Sequence, residues 1–330
     1  MRSKTILVKL MGLLAAVVLS APLGARAQSS EIPAWLQAHV GEGDGQIAPV
    51  VLHRARALYF AKLREGAVRN PCYFAMDATR PNDMGPGHPG RRFYIVCEAQ
   101  QSFRAIAAGH GGGRDLKGLA NFENGRQCAK NFGNALDSKL TTGGAYVTGE
   151  TKTSFKGLYR ASAGRGAALV RSFIQFDGLG EAANARERAI GGHAAELLRN
   201  VCLLKAPGSP HADREGHVPF GDLVVYAGGR SNGCTSWSPE DAEQVVPIMN
   251  GNPTTLYLYP ESEDIAAVAK AGQGSGRAYW NAFCLRQIGA PKFWSQQSLG
   301  PIIAQYERDH PAPPPQPLPL CKGRRAALQP

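Results

Sequence analysis

Two textures alternate along this chain. Residues 48–66 set Val51, Ala55, Leu58 and Lys62 at helical spacing, with Arg54, Arg56 and Arg64 elsewhere around the axis, which predicts a packing helix. From Tyr73 the pattern shortens into β-type runs at 73–76, 93–97 and 103–107, separated by Gly- and Pro-rich turns such as 81–90. Further strand-like pieces fall at 145–148, 168–176, 189–190, 223–226 and 254–259. One helix interrupts them. Ser238 suits its N-cap, Pro239 its first position, Glu240 and Asp241 its positive end, and Asn250-Gly251 its stop. Helical texture returns over 264–271 and 277–287. A Pro-rich tail at 311–319 should then run extended and exposed, as a strap that holds Cys321 near a partner cysteine.

The expected organisation is a helical N-terminal flank at 28–71, a mostly β body at 72–260 and a helical C-terminal extension at 261–330. Ahead of these, residues 1–27 read as an export signal: Arg2, Lys4 and Lys9 precede an apolar run at 10–19 and the small-residue element Ala25-Arg26-Ala27. That run is shorter than the about 20 residues a bilayer needs, and no cysteine follows the cleavage site to take a lipid. A secreted, periplasmic or cell-envelope protein without stable membrane insertion is expected. The formal charge is +11; removing the leader's four basic residues (Arg2, Lys4, Lys9, Arg26), which no acidic residue accompanies, leaves +7. Outside the cytoplasm such a charge favours anionic envelope polymers over nucleic acid.

Export changes the meaning of the seven cysteines. In an oxidising compartment Cys72, Cys97, Cys128, Cys202, Cys234, Cys284 and Cys321 should mostly pair, and an odd number leaves one free. Cys234 is the expected remainder, because it sits among small and polar residues in Gly229-Arg230-Ser231-Asn232-Gly233-Cys234. The other six still allow fifteen connectivities. The helix predicted to start four residues on would favour the thiolate if its N-terminus met the sulfur.

A nucleophilic cysteine needs a base, and three histidines offer themselves. His193 follows a short β-type run ending in Gly191-Gly192, a mounting that would project the imidazole from a strand end. His217 lies in the polar segment 211–217, nearer to Cys234 in sequence. His110 opens His110-Gly111-Gly112-Gly113, readable either as an oxyanion-type loop or as a glycine-rich turn between strands. A metal-dependent peptidase would instead draw on His211, Asp213 and His217, a spacing that matches no standard zinc pattern. No metal or cofactor is therefore expected.

An ordered set of segments resembles the murein L,D-transpeptidase catalytic domain of the YkuD-like type. It comprises Asp77, Arg92-Phe93-Tyr94-Ile95-Val96, Ala108-Gly109-His110-Gly111-Gly112-Gly113, Phe132-Gly133-Asn134, 143–149, 178–180, Asn184, Arg188-Ala189-Ile190 before His193, Gly229-Arg230-Ser231 before Gly233-Cys234, and 254–259. The resemblance implies a β-sandwich or mixed-sheet fold with a helix after the nucleophile. It also implies an exported cysteine acyltransferase acting on peptidoglycan stem peptides. Cys234 would be the nucleophile, His193 its base and His217 the runner-up. Backbone N–H groups at Gly233 and Cys234 would hold the oxyanion, Ser231 and Arg230 would shape the loop or meet a substrate carboxylate, and His110 would lie on the substrate side.

Three departures stand out. His193 and Cys234 are separated by an unusually long stretch containing Cys202 and the segment 206–219, which raises the standing of His217. Thr235-Ser236-Trp237 lacks the arginine that many members carry two residues after the nucleophile. No glycine follows His193. Two other functions stay open: an L,D-carboxypeptidase that passes the acyl group to water, and a non-catalytic wall-binding domain.

Overall fold

The computed structural model describes residues 32–322 apart from 86, 162–165, 227–229 and 272–277. The segment 1–27 expected to be an export signal, Gly229 and Arg277 lie outside the described residues. Within them the β texture forms, besides three two-stranded sheets, a ten-stranded mixed sheet. Its main path runs Thr235–Trp237, Gly191–Ala194, Gly166–Gly178, Gly144–Arg160, Thr255–Tyr259, Cys72–Asp77, Arg91–Cys97, Ser102–Ala107.

The central strand Cys72–Asp77 is buried along its whole length, between a parallel neighbour (Thr255–Tyr259) and an antiparallel one (Arg91–Cys97). Coverage on both faces explains its continuous apolar run. Tyr59 of helix Pro49–Arg64 stacks on Tyr73 at 4.7 Å. Phe74 and Met76 join the main core with Val245 and Met249 of helix Pro239–Met249. Because side chains alternate across a strand, these two helices cover opposite faces of the sheet.

The helix after Cys234 forms as its punctuation predicts, with Ser238 Oγ accepting from the Asp241 N–H at 3.0 Å. The sheet differs from expectation in three places. The pieces at 145–148 and 168–176 belong to much longer strands, Gly144–Arg160 and Gly166–Gly178, kinked by register shifts between Thr148 and Thr151 and between Phe155 and Gly157. The apolar pattern fades beyond Thr148 because both strands run out into solvent. Residues 189–190 are not a strand: Ala189 is in a turn with φ 51°, and the strand begins at Gly191. Finally, Glu196–Lys205 forms a hairpin with His217–Val225, so the polar segment before Pro219 is loop only until His217.

That hairpin carries a small core of its own, Leu204, Val218 and Phe220. The Cys202–Cys321 disulfide closes it, and Cys321 N–H donates to the Leu203 carbonyl at 3.0 Å. The exposed Pro-rich tail is thus the strap its composition suggested.

Both flanks are sewn to the β body, and the chain from Pro33 onward clusters as a single unit. Arg54 reaches Tyr257 at 2.8 Å and Asp264 at 2.6 Å. Cys128 bonds Cys284, and Lys292–Trp294 pairs with Asn131–Gly133. The helix expected over 277–287 spans Ala282–Ile288, capped by Asn281. Helix Gln296–Asp309 was not anticipated, although Leu299, Ile303 and Tyr306 recur at helical spacing. No described helix is long and apolar enough to cross a membrane, and three disulfides fit an oxidising compartment.

Candidate active site

Six cysteines pair as Cys72–Cys97, Cys128–Cys284 and Cys202–Cys321, and Cys234 is free. It immediately precedes strand Thr235–Trp237, which lies parallel to Gly191–Ala194 with Gly192 opposite Thr235 and His193 opposite Ser236. One step back, this register sets Cys234 beside Gly191, and Gly191 and His193 project from the same face of their strand. The two glycines are what let the strands meet here. A Cβ on Gly191 would stand 2.2 Å from the Ile174 carbonyl, and one on Gly192 2.3 Å from the Trp237 ring.

Cys234 and His193 line one cleft of about 850 Å³, together with Arg171, Phe173, Arg188 and Tyr226. The sulfur accepts from the Gly191 N–H, and the thiol donates to the Ala189 carbonyl at 3.5 Å. His193 is 8% exposed, and its Nδ1 lies 2.7 Å from the Ala194 carbonyl oxygen. A carbonyl only accepts, so Nδ1 carries the proton and Nε2 presents a lone pair. Phe173 stacks on the ring at 6.2 Å.

Burial holds the His193 imidazole below its ordinary pKa, and the positive charges of Arg171 and Lys156 push the same way against the Ala194 hydrogen bond. At neutral pH it is an uncharged base. Burial also pushes the Cys234 thiol up, opposed by the Gly191 N–H and by the charges of Arg171 and Arg188. This corrects the expected lowering by the following helix. That helix begins at Pro239, five residues on, and the extended chain between spans about 16 Å at strand rise, beyond the short reach of a helix terminus. The resting pair is therefore a thiol beside a neutral imidazole.

The loop before Cys234 is held by its own serine. Ser231 Oγ accepts from the Gly233 N–H at 3.1 Å and donates to the Cys234 carbonyl. Gly233 has φ 109°, where a side chain is strained, and a Cβ there would stand 2.8 Å from Ile190 Cδ1. Since its N–H already serves Ser231, Gly233 is not an oxyanion donor. Of the two expected donors, the Cys234 N–H is left.

His110 is wholly buried and off the cleft lining. Its strand His110–Gly111 runs parallel beneath Arg230–Ser231, with Arg230 opposite His110 and Ser231 opposite Gly111. The Gly111 N–H donates to Thr141 Oγ1, Gly112 to the Ser231 carbonyl and Gly113 to the Lys139 carbonyl. The glycine run therefore scaffolds the cysteine loop instead of facing substrate.

His217 does not join the site. It pairs with Lys205 at the far end of the hairpin, eight residues or about 26 Å of strand from Val225, whose end borders the cleft. Its Nδ1 lies 3.8 Å from Asp213 and 3.7 Å from Glu215. His211 stacks on Phe155 at 3.8 Å. Among the described residues no three His, Cys, Asp or Glu side chains gather as a metal site.

Sequence reasoning gave no role to Arg171 and Phe173, which reach the cleft from strand Gly166–Gly178, or to Tyr226, which follows strand His217–Val225. Arg188 and Ala189 belong to the Arg188-Ala189-Ile190 segment of the family resemblance, which assigned them no role. Compared with known proteins, the chain matches no family model, no curated protein and no solved structure.

Proposed function

We propose that this protein is an exported cysteine acyltransferase of the L,D-transpeptidase kind, acting on peptidoglycan stem peptides. One observation carries the reading. The single free thiol among seven cysteines shares a cleft with a histidine whose Nδ1–H is fixed by a backbone carbonyl, leaving Nε2 as the base. The substrate class comes from the sequence resemblance and from the basic, exported character of the chain. The mixed sheet with a helix after Cys234 is compatible with the β-sandwich that this resemblance implies.

In the first step Nε2 of His193 takes the Cys234 proton while the sulfur attacks the carbonyl carbon of the stem peptide. The Cys234 N–H would face the developing oxyanion, an interaction worth about 3 kcal/mol. The C–N bond then breaks, the imidazolium gives its proton to the departing amine, and a thioester remains. An acceptor amine attacks the thioester and loses its proton to His193. The thiolate leaves and is reprotonated. Water in the acceptor's place gives hydrolysis.

Incubating the mature protein with a tetrapeptide stem and reading intact mass tests this. A covalent adduct equal to the acyl fragment is expected, together with release of the terminal D-amino acid. No adduct and no product at any pH between 6 and 9 would falsify the assignment.

A further inference from the structure

We infer that Arg188 is the built-in counter-charge of the nucleophile, supplying through space the positive field that the distant helix terminus does not. The inference rests on the reading of Cys234 as nucleophile.

Arg188 lies in the turn just before the histidine strand and lines the cleft beside Cys234. Its guanidinium fork points into the segment 138–142, donating to Thr142 Oγ1, to the Leu140 carbonyl at 2.6 Å and to Ser138 Oγ at 3.3 Å. All three acceptors are neutral, and among the described residues Arg188 forms no ion pair. The group is also placed against the cysteine loop: its Nη2 is 3.7 Å from where a Cβ on Gly233 would stand. A half-buried cation with neutral partners, next to the residue that precedes the sulfur, keeps its charge available in a setting where solvent screens it weakly.

Other charges face the same sulfur. Arg171 comes from strand Gly166–Gly178, and its Nη1 donates to the Glu196 carbonyl at 3.1 Å, within reach of the Glu196 carboxylate. Glu187, Asp137, Lys139 and Arg199 sit at exposed positions of the cleft rim; His193 and Tyr226 complete the titratable set. Tyr146 is buried behind Arg188 and hydrogen-bonds the Thr142 carbonyl at 2.8 Å. Among the described residues Arg188 alone of the cleft cations is anchored by three hydrogen bonds to segment 138–142 while facing Gly233, the residue before the thiol.

The test is alkylation of Cys234, the one free thiol, by iodoacetamide across pH in the mature protein. Its readout does not depend on substrate. Arg188→Met should raise the midpoint of the rate profile by about one unit and slow alkylation at pH 7 about tenfold. Arg188→Lys removes the fork but keeps the charge, and its midpoint should stay within about half a unit of wild type. Equal upward shifts in both variants, or none in Arg188→Met, would overturn the inference. Should Arg188→Met not fold, Arg188→Gln takes its place, with the same upward shift expected and an unmoved midpoint overturning the inference. A wild-type protein that forms no thioester sinks the proposed function by itself, whereas a thioester-forming wild type with an unmoved Arg188→Met midpoint sinks only the counter-charge.

Discussion

His193 stands opposite Ser236, two residues beyond Cys234, so the two residues are diagonal neighbours on one face of two parallel strands. Diagonal neighbours of adjacent strands lie within reach of long side chains, and Gly191, on the same face as both, places no side chain between them. The two groups therefore work as one unit, and deleting either should cost about the same. Cys234→Ala and His193→Gln should each lower acylation by about 10³-fold or more, and the double variant little further. His217→Gln should leave the rate within about twofold. Single-turnover acylation read by mass checks all four, and a larger loss in His217→Gln would transfer the base to the hairpin's far end.

The pH dependence follows from the two directions of shift. An imidazole held below its ordinary value of about 6.5 stays neutral as pH falls through that value, so the acid limb of kcat/KM should lie below it. The same group also carries a stability signature. Unfolded His193 binds its proton more tightly than folded His193, so stability should fall as pH drops from about 6.5 to the lower folded value. Thermal unfolding of His193→Gln should lack this acid slope. A basic limb near about 8, set by the imidazolium of a thiolate–imidazolium pair losing its proton, would contradict the resting state described above.

Much of this arrangement was legible beforehand, and the exceptions have physical causes. Arithmetic left one of seven cysteines over, and the small and polar residues around Cys234 pointed to it as that one. The helix at Pro239–Met249 was written in its caps, Ser238 and Asn250, which are local features. The distance of that helix from the sulfur was not, because it depends on whether Thr235–Trp237 is strand or turn. His217 looked close to Cys234 only in sequence; the Glu196–Lys205 hairpin carries it away, and that strand's polar residues hid its pairing. The occupied Gly233 N–H was also hidden, because a serine two residues earlier can turn inward or outward with the same sequence.

Gly233 gives a local test of the loop. Its positive φ and the contact at 2.8 Å to Ile190 mean that Gly233→Ala should cost about 1–3 kcal/mol and displace the thiol. Ser231→Ala removes the hydroxyl that ties Gly233 to Cys234 without adding bulk. It should leave the melting temperature within a few degrees while lowering acylation about tenfold or more. Calorimetry beside acylation rates distinguishes the two. A Ser231→Ala variant with wild-type kinetics would show that the hydroxyl bridge does not position the nucleophile.

The Cys202–Cys321 bond makes the last prediction, because it separates strapping from core stability. It links residues 119 apart and closes the small cluster of Leu204, Val218 and Phe220 at the hairpin's distal end. A crosslink over such a span is worth about 2–4 kcal/mol when the whole chain unfolds together. The tail is otherwise held by little more than the pairing of Leu203 with Leu320, so replacing both cysteines by serine should free it first. Hydrogen exchange should quicken in Glu196–Lys205 and His217–Val225 and stay slow in Cys72–Asp77. Since Leu197, Arg199 and Tyr226 of the hairpin region line the cleft, KM for the stem peptide should rise with less change in kcat. Uniform exchange across the sheet in the double variant would mean instead that the strap supports the whole fold.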